Sequence, residues 1–340
     1  MTVPGGSTNA EPGFWSGRPV AVTGASGFVG HHVATRLLDL GARVKVLLRP
    51  ASRRFLPNSK IEVVEGSLED QRALARLCRG SDVVFHLAGA VDFRGDRQRL
   101  RRVNVEGTQQ LVAAARALGV RRLLYTSSIV AIGASTEPAV LDETCRWNLG
   151  SWRVPYVSSK REAEQLALAA SDRDLEVVAV NPASVIGPDD FSSSEFGTLC
   201  RRFWRGRLPI HFGGGNNFVD VRDVALGHLL AAEHGRAGER YILGSENRTL
   251  SAFLADLARV AGKPILRLRL PNVLAPVVAA LNACYTRQAK PYLTPGQARL
   301  VPLFFYFTSR KAAQELGYCP RPLLPSLRDT HAFWIRKRPA

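Results

Sequence analysis

Short apolar runs alternate with amphipathic stretches through the first half of the chain. PVAVTG, from Pro19, reads as a buried strand, and the stretch from Gly27 to Leu40 keeps helical spacing until Gly41 stops it. ARVKVLLR, IEVVEG and SDVVFHLAG predict the second, third and fourth strands, with a helix over about 69–78 between the last two. A long helix is predicted over 97–118, then RRLLYTSS as strand five, a helix over 156–170 and LEVVAVNP as strand six. Strands that alternate with helices need crossover connections, so the pattern predicts an α/β fold, a doubly wound parallel sheet covered on both faces. After Pro182 the pattern changes to loops, short helices and Pro-rich joints. The expected division is therefore a nucleotide-binding domain over 18–182 and a smaller substrate-binding lobe over 183–340, with a helix at 220–234 that returns to the sheet. Residues 1–17 have neither a basic start nor an apolar core, and are expected to form a flexible leader rather than a secretory signal.

Composition narrows the class. The chain has 340 residues, is 46% hydrophobic and 22% charged, and shows neither a glycine period nor a sustained heptad. That excludes disordered, collagenous and coiled-coil chains. The net charge of +17 comes from 46 Lys+Arg against 29 Asp+Glu, and 39 of the 46 are arginine. The last 80 residues hold 13 basic and two acidic residues, a surplus of +11 that suits an anionic lipid surface or nucleic acid. No nucleic-acid motif or aromatic-basic platform accompanies it, so no specific nucleic acid is expected. The five cysteines (78, 145, 200, 284 and 319) lie far apart, which argues against a disulfide framework or a metal site and for a reducing cytoplasm. LPNVLAPVVAALNACY, from Leu270, and VPLFFYF, from Val301, are apolar but shorter than the ~20 residues of a membrane span. They read as lobe core and pocket wall; combined with the basic surplus, they also admit peripheral membrane contact.

Three motifs carry chemistry. TGASGFVG spaces Gly24, Gly27 and Gly30 three apart, directly after a strand and opening a helix. Glycines there permit the turn and let a pyrophosphate approach the helix amino terminus, the Rossmann-type arrangement. Tyr156 and Lys160 stand four apart on one predicted helix face, so a cation can sit near a phenol and lower its pKa toward working pH. Thr126-Ser127-Ser128 closes strand five, at the sheet edge where open α/β folds bind ligands, and its hydroxyls can donate to a substrate carbonyl or simply satisfy their own turn.

In this order the motifs resemble the extended short-chain dehydrogenase/reductase superfamily, of NAD-dependent epimerase/dehydratase type. HLAGA, NVEGT, NPASVIGP and FVDVRDVALGHLLA match its landmarks through most of the chain. LLYTSS, LDETCRW and GERYILGSENRTL are similar to the branch of dihydroflavonol 4-reductases, 3β-hydroxysteroid dehydrogenases and hopanoid-associated epimerase-like proteins. The resemblance implies that Ser128 orients a substrate carbonyl and Tyr156 is the general acid/base. It implies that Lys160 holds the nicotinamide ribose and tunes Tyr156, and that Asn104 supports the group. It implies cofactor contacts from Gly24, Ser26, Gly27, Phe28, Val29, Gly30, Arg49, Arg53, Ser67, Leu68, Leu87, Ala88, Gly89, Thr126, Pro182 and Val185. Gly89 stands where many relatives have Ala, and Ser67 replaces the usual Asp in EGSLED. A homodimer is the family expectation.

An NAD-selective site usually offers a carboxylate about 20 residues after the glycines. Here that region, VKVLLRPASRR, has no acid: Leu48 ends the strand and Arg49, Arg53 and Arg54 follow. Cations suit a 2′-phosphate, so NADP(H) is favoured over NAD(H). The chemistry expected is carbonyl reduction, or the reverse oxidation, on a hydrophobic substrate of terpenoid, steroid or flavonoid kind. The rival readings are a nucleotide-sugar epimerase or dehydratase with tightly held NAD, and a non-catalytic scaffold or sensor. The complete Ser/Tyr/Lys set argues against the last, since a pure binder needs only the glycines. Arg94, Trp147, Trp152, Phe191 and Phe212 are the expected substrate-lining residues.

Overall fold

The computed structural model describes residues 10, 12–50, 52, 60–191, 194–262, 268–285 and 292–336. Seven strands form one parallel sheet: β1 (Pro19–Thr23), β2 (Arg43–Leu48), β3 (Glu62–Glu65), β4 (Val83–His86), β5 (Arg122–Thr126), β6 (Glu176–Pro182) and β10 (Arg240–Leu243). Their spatial order is β10-β6-β5-β4-β1-β2-β3, so the direction of winding reverses between β1 and β4. That reversal opens a crevice at the carboxyl ends of the strands. Alternate strand residues feed two cores. Val20, Val22, Val46, Phe85 and Val180 pack with α2 (Phe28–Asp39) and α8 (Val221–His234). Ala21, Leu47, Val84, Leu123 and Ala179 pack on the other face with α3 (Gln71–Cys78), α5 (Gly107–Ala117) and α6 (Pro155–Ala169). Both faces being covered is why these strands read as continuous apolar runs.

The sheet does not stop at residue 182. α8 packs along α2, and β10 pairs with β6 from Arg240↔Ala179 to Leu243↔Pro182. The end of the expected leader is also ordered. The helical turn α1 (Pro12–Trp15) buries Trp15 completely, its indole donating to Glu233 and its ring 5.8 Å from that of Phe85. A tryptophan of that size gains more from the sheet's end than a free leader would.

The helix predicted over 97–118 is interrupted. After α4 (Arg97–Leu100), a π-helical turn at Arg101–Glu106 precedes α5. Such turns recur at functional sites because they re-aim one side chain.

The remaining residues build the smaller lobe. β7 (Ser184–Ile186), β9 (Gly215–Asp220), β11 (Glu246–Thr249) and β13 (Phe304–Phe305) form a second sheet, and β8 (Ile210–His211) pairs with β12 (Leu268–Arg269). Around them lie α7 (Glu195–Trp204), α9 (Leu250–Ala261), α10 (Ala275–Tyr285), α11 (Pro295–Leu300) and α13 (Leu323–Arg336), while α12 (Arg310–Leu316) packs back on α8 and β10 of the main sheet. Among the described residues no helix is long and apolar enough to cross a membrane.

Candidate active site

The glycine turn joins β1 to α2. Gly24 has φ +77, and a Cβ on it would lie 2.6 Å from the Ala88 amide nitrogen, in the turn after β4. A Cβ on Gly30 would come within 2.1 Å of the Gly24 carbonyl oxygen. Only glycine fits either place. Gly27 is the N-cap of α2 and gives it no side-chain cap, so the first-turn amides of Phe28, Val29 and Gly30 keep their donors outward at the positive end of the helix dipole. This side-chain-free cradle with uncapped amides suits a dinucleotide's pyrophosphate.

A one-way hydrogen-bond chain runs beneath the crevice. The Ala88 N–H donates to Thr23 Oγ1 at 3.1 Å, and Thr23 pairs with His86 Nδ1 at 2.8 Å. His86 Nε2 meets Thr108 Oγ1 at 2.9 Å, and Thr108 donates to the Asn104 carbonyl at 2.6 Å. With Thr108 committed as donor, His86 carries its proton on Nε2 and accepts on Nδ1. Burial pushes the imidazole pKa down to about 3, with the Lys160 charge adding to the effect, so it stays neutral. Asn104 completes the chain: its amide binds both polar groups of Ala90 (2.7 and 3.0 Å) and donates to Ser159 Oγ at 2.9 Å. Ser159 in turn donates to the Tyr156 carbonyl at 2.8 Å. The π turn thus couples the glycine-side loop to the helix that carries Tyr156.

Tyr156 opens α6, is buried, and has its ring 4.8 Å from that of Phe93. Lys160, one turn on, donates to the Thr126 carbonyl at 2.6 Å and lies 4.9 Å from the centre of the Tyr125 ring. The shared face therefore forms, but the electrostatics differ from the sequence expectation. Burial pushes the Tyr156 phenol up to about 12, with Ser128 opposing. Burial likewise pulls the Lys160 ammonium down to about 8, with Glu164 opposing. Desolvation outweighs proximity because both groups are shut away from water.

Glu164 was invisible to the motif reading. It stands a further turn along the same face, 1% exposed, and bonds Arg240 Nη1 at 3.0 Å. Asn181 Nδ2 donates to Glu164 Oε2 at 2.5 Å and to the Ser128 carbonyl at 3.1 Å. Arg240 also donates to the Glu143 carbonyl at 2.5 Å, and Glu143 accepts from the Ile242 amide at 2.9 Å. One buried carboxylate so ties α6, β6, β10 and the loop after Ser128 together. The signal available was spacing: Tyr156, Lys160 and Glu164 recur every four residues.

The other expected residues distribute as follows. Leu87, Ala88 and Gly89 follow β4 beside the glycine turn, while Thr126 and Pro182 end β5 and β6. Thr126 Oγ1 binds His228 Nε2 at 2.9 Å. Ser67 and Leu68 lie in the β3–α3 turn, Val185 sits on β7, and Arg49 is exposed directly after β2. Arg53 lies outside the described residues. Among the pocket residues, Trp152 lines a cavity of about 260 Å³ with Leu141, Cys145, Leu149 and Leu303, and Trp147 donates to the Val130 carbonyl at 3.2 Å. Arg94 is exposed. Phe191 pairs with His31 and Phe333, and Phe212 is buried in a cluster with Ala275 and Ala279. No group of metal-binding side chains occurs among the described residues.

A model of the NAD-dependent epimerase/dehydratase family matches residues 20–244. The chain belongs to this family. It is 36% identical over 329 residues to a Synechocystis sp. protein named as a dihydroflavonol 4-reductase, covering 93% of this chain and 94% of that protein. It is 33% identical to sterol demethylase protein B of Methylococcus capsulatus, covering 93% and 98%. The crystal structure of gox2253 superposes with a TM-score of 0.81 at 34% identity, covering 94% of this chain and 98% of that one. MoeE5 in complex with UDP-glucose and NAD gives a TM-score of 0.75 at 25% identity, over 94% and 99%. As a member of this family with an extended short-chain dehydrogenase/reductase fold, the chain is an oxidoreductase.

Proposed function

We propose that the chain reduces a ketone on a hydrophobic, ring-bearing substrate of terpenoid, steroid or flavonoid kind with NADPH, or runs the reverse oxidation. The observation that carries the reading is the buried Tyr156 one helical turn before the buried Lys160, whose ammonium holds the Thr126 carbonyl at the strand end that leads to Ser128, beside the uncapped glycine turn. Sterol- and flavonoid-named relatives support the substrate class. Gly24, Gly27 and Gly30 with the α2 amides would hold the pyrophosphate, and Lys160 the nicotinamide ribose. When bound, the cofactor supplies the hydride.

The residues of the chain manage the proton. Tyr156 is fully protonated at neutral pH, so its hydroxyl is ready to donate to the carbonyl oxygen as that oxygen gains charge. Ser128 adds a hydrogen bond that strengthens as the charge builds. Asn104, acting through Ser159, fixes the backbone beneath Tyr156. The absence of an acid at the end of β2, where Leu48 is followed by the exposed Arg49, supports NADPH.

Fluorescence titration of nucleotide-free protein tests this. Binding of NADPH about tenfold tighter than NADH, equalised by Arg49→Ala, is the expected result. NAD retained through purification, or a preference for NADH, overturns it in favour of epimerase or dehydratase chemistry.

A further inference from the structure

Helix α10 and the turn before it leave an apolar stripe in water. Ala275 and Ala279 are buried against Phe212, Leu293 and Ala298. On the opposite side, at four-residue spacing, Val273 is 79% exposed, Val277 55% and Leu281 62%. The turn and the helix that follows it thus show three large aliphatic residues at four-residue spacing. Leu274, beside Val273, and the strand residue Leu268 are exposed as well. Single exposed aliphatics are ordinary, but a contiguous stripe is not.

The charge of the chain segment that carries the stripe says what covers it. Between Asp256 and Glu315 the sequence contains no acidic residue in 58 positions and nine basic ones. Arg269 is exposed next to Leu268, and Arg259 and Arg299 are exposed at the ends of α9 and α11. A second copy of the chain would bring the same positive charge to the contact, and an acid-free stretch offers it no counter-charge. An apolar stripe carried by an acid-free, basic stretch of chain matches an anionic lipid surface, whose acyl region takes the aliphatics and whose headgroups take the basic side chains.

We propose that the face formed by Val273, Val277 and Leu281 docks peripherally on an anionic membrane. The inference does not depend on which substrate the site takes. The docking face is nevertheless close to the chemistry in the fold. α10 packs on α11, the Gly296 amide of α11 donates to the Phe93 carbonyl at 3.3 Å, and Phe93 stands edge-on to Tyr156.

Flotation with vesicles of phosphatidylcholine alone, and of phosphatidylcholine mixed with phosphatidylglycerol, tests the proposal. The full chain should float with the anionic vesicles at low salt and much less with the neutral ones, and added salt should weaken the binding. The triple variant Val273→Ser, Val277→Ser, Leu281→Ser should lose roughly tenfold in vesicle affinity, while nucleotide binding and circular dichroism stay unchanged. Val277→Glu alone, at a water-exposed position, is the independent second variant and should weaken binding in the same direction. Failure of the full chain to float overturns the proposal. Undiminished flotation of both variants also overturns it, because charge alone would then explain the binding. A dimer in solution that the triple variant dissolves, with no vesicle binding by the parent, assigns the stripe to a second copy instead.

Discussion

Helix α6, which carries Tyr156 and Lys160, and the lobe helix α10 handle apolar surface and charge in opposite ways. α6 buries Tyr156, Lys160 and Glu164 in succession, and Lys160 and Glu164 each bond to groups from other elements. α10 has no acidic or basic residue and turns valine and leucine to water. Burial makes the first helix chemically distinctive, since desolvation moves the pKa of both Tyr156 and Lys160. Exposure makes the second helix a surface for something else. The helix that carries Tyr156 and Lys160 is over-determined by its contacts, whereas α10 keeps its aliphatic contacts unmade.

Four substitutions or titrations can sharpen or break that contrast. The largest effect is expected from Tyr156→Phe, which removes the proton donor: ketone turnover should fall about 10³-fold while nucleotide affinity changes little. A variant that keeps its activity would remove Tyr156 from the mechanism. Next is Glu164→Ala, which strands Arg240 and frees the Asn181 amide that holds the Ser128 carbonyl. Denaturant unfolding should show a loss of about 3 kcal/mol, with Glu164→Gln restoring part of it. A loss no larger than that of a surface change would deny the carboxylate its linking role.

Lys160 gives the third. Its ammonium, held near 8 by burial, is largely charged at neutral pH and loses its proton as pH rises through about 8. Nucleotide affinity should therefore decline by about tenfold above that pH, and Lys160→Met should remove the dependence. Its stability contribution runs the other way. Between about 8 and the ordinary 10.5 the unfolded chain holds a proton that the folded chain has released, so this group adds stability with rising pH. The smallest effect belongs to α10. Val277→Ser should leave folding stability within about 0.5 kcal/mol of the parent, as thermal unfolding would show, because the side chain gains little from folding. A larger loss would mean that the stripe is covered in the free protein.

Much of the first half was legible because its signals are local. Six strands and their helices follow from runs of apolar residues, and the glycine turn from spacing alone. The seventh strand, Arg240–Leu243, was hidden: its four residues carry no period, and only pairing with β6 makes them a strand. The π turn at Arg101–Glu106 was hidden for a related reason, since Asn104 reaches Ala90 and Ser159 from distant parts of the chain. Trp15 looked like part of a loose leader until the sheet supplied a place to bury it.

The sequence by itself determined the α/β class, the glycine turn between β1 and α2, the Tyr156/Lys160 face and the missing acid after Leu48, because glycine conformation and helical spacing act within a few residues. Tertiary structure alone decided that Glu164 would link four elements, that Tyr156 and Lys160 would be desolvated rather than simply paired, and that Val273, Val277 and Leu281 would face water. Those outcomes depend on which distant segments come to lie against a side chain, and no local pattern carries that information.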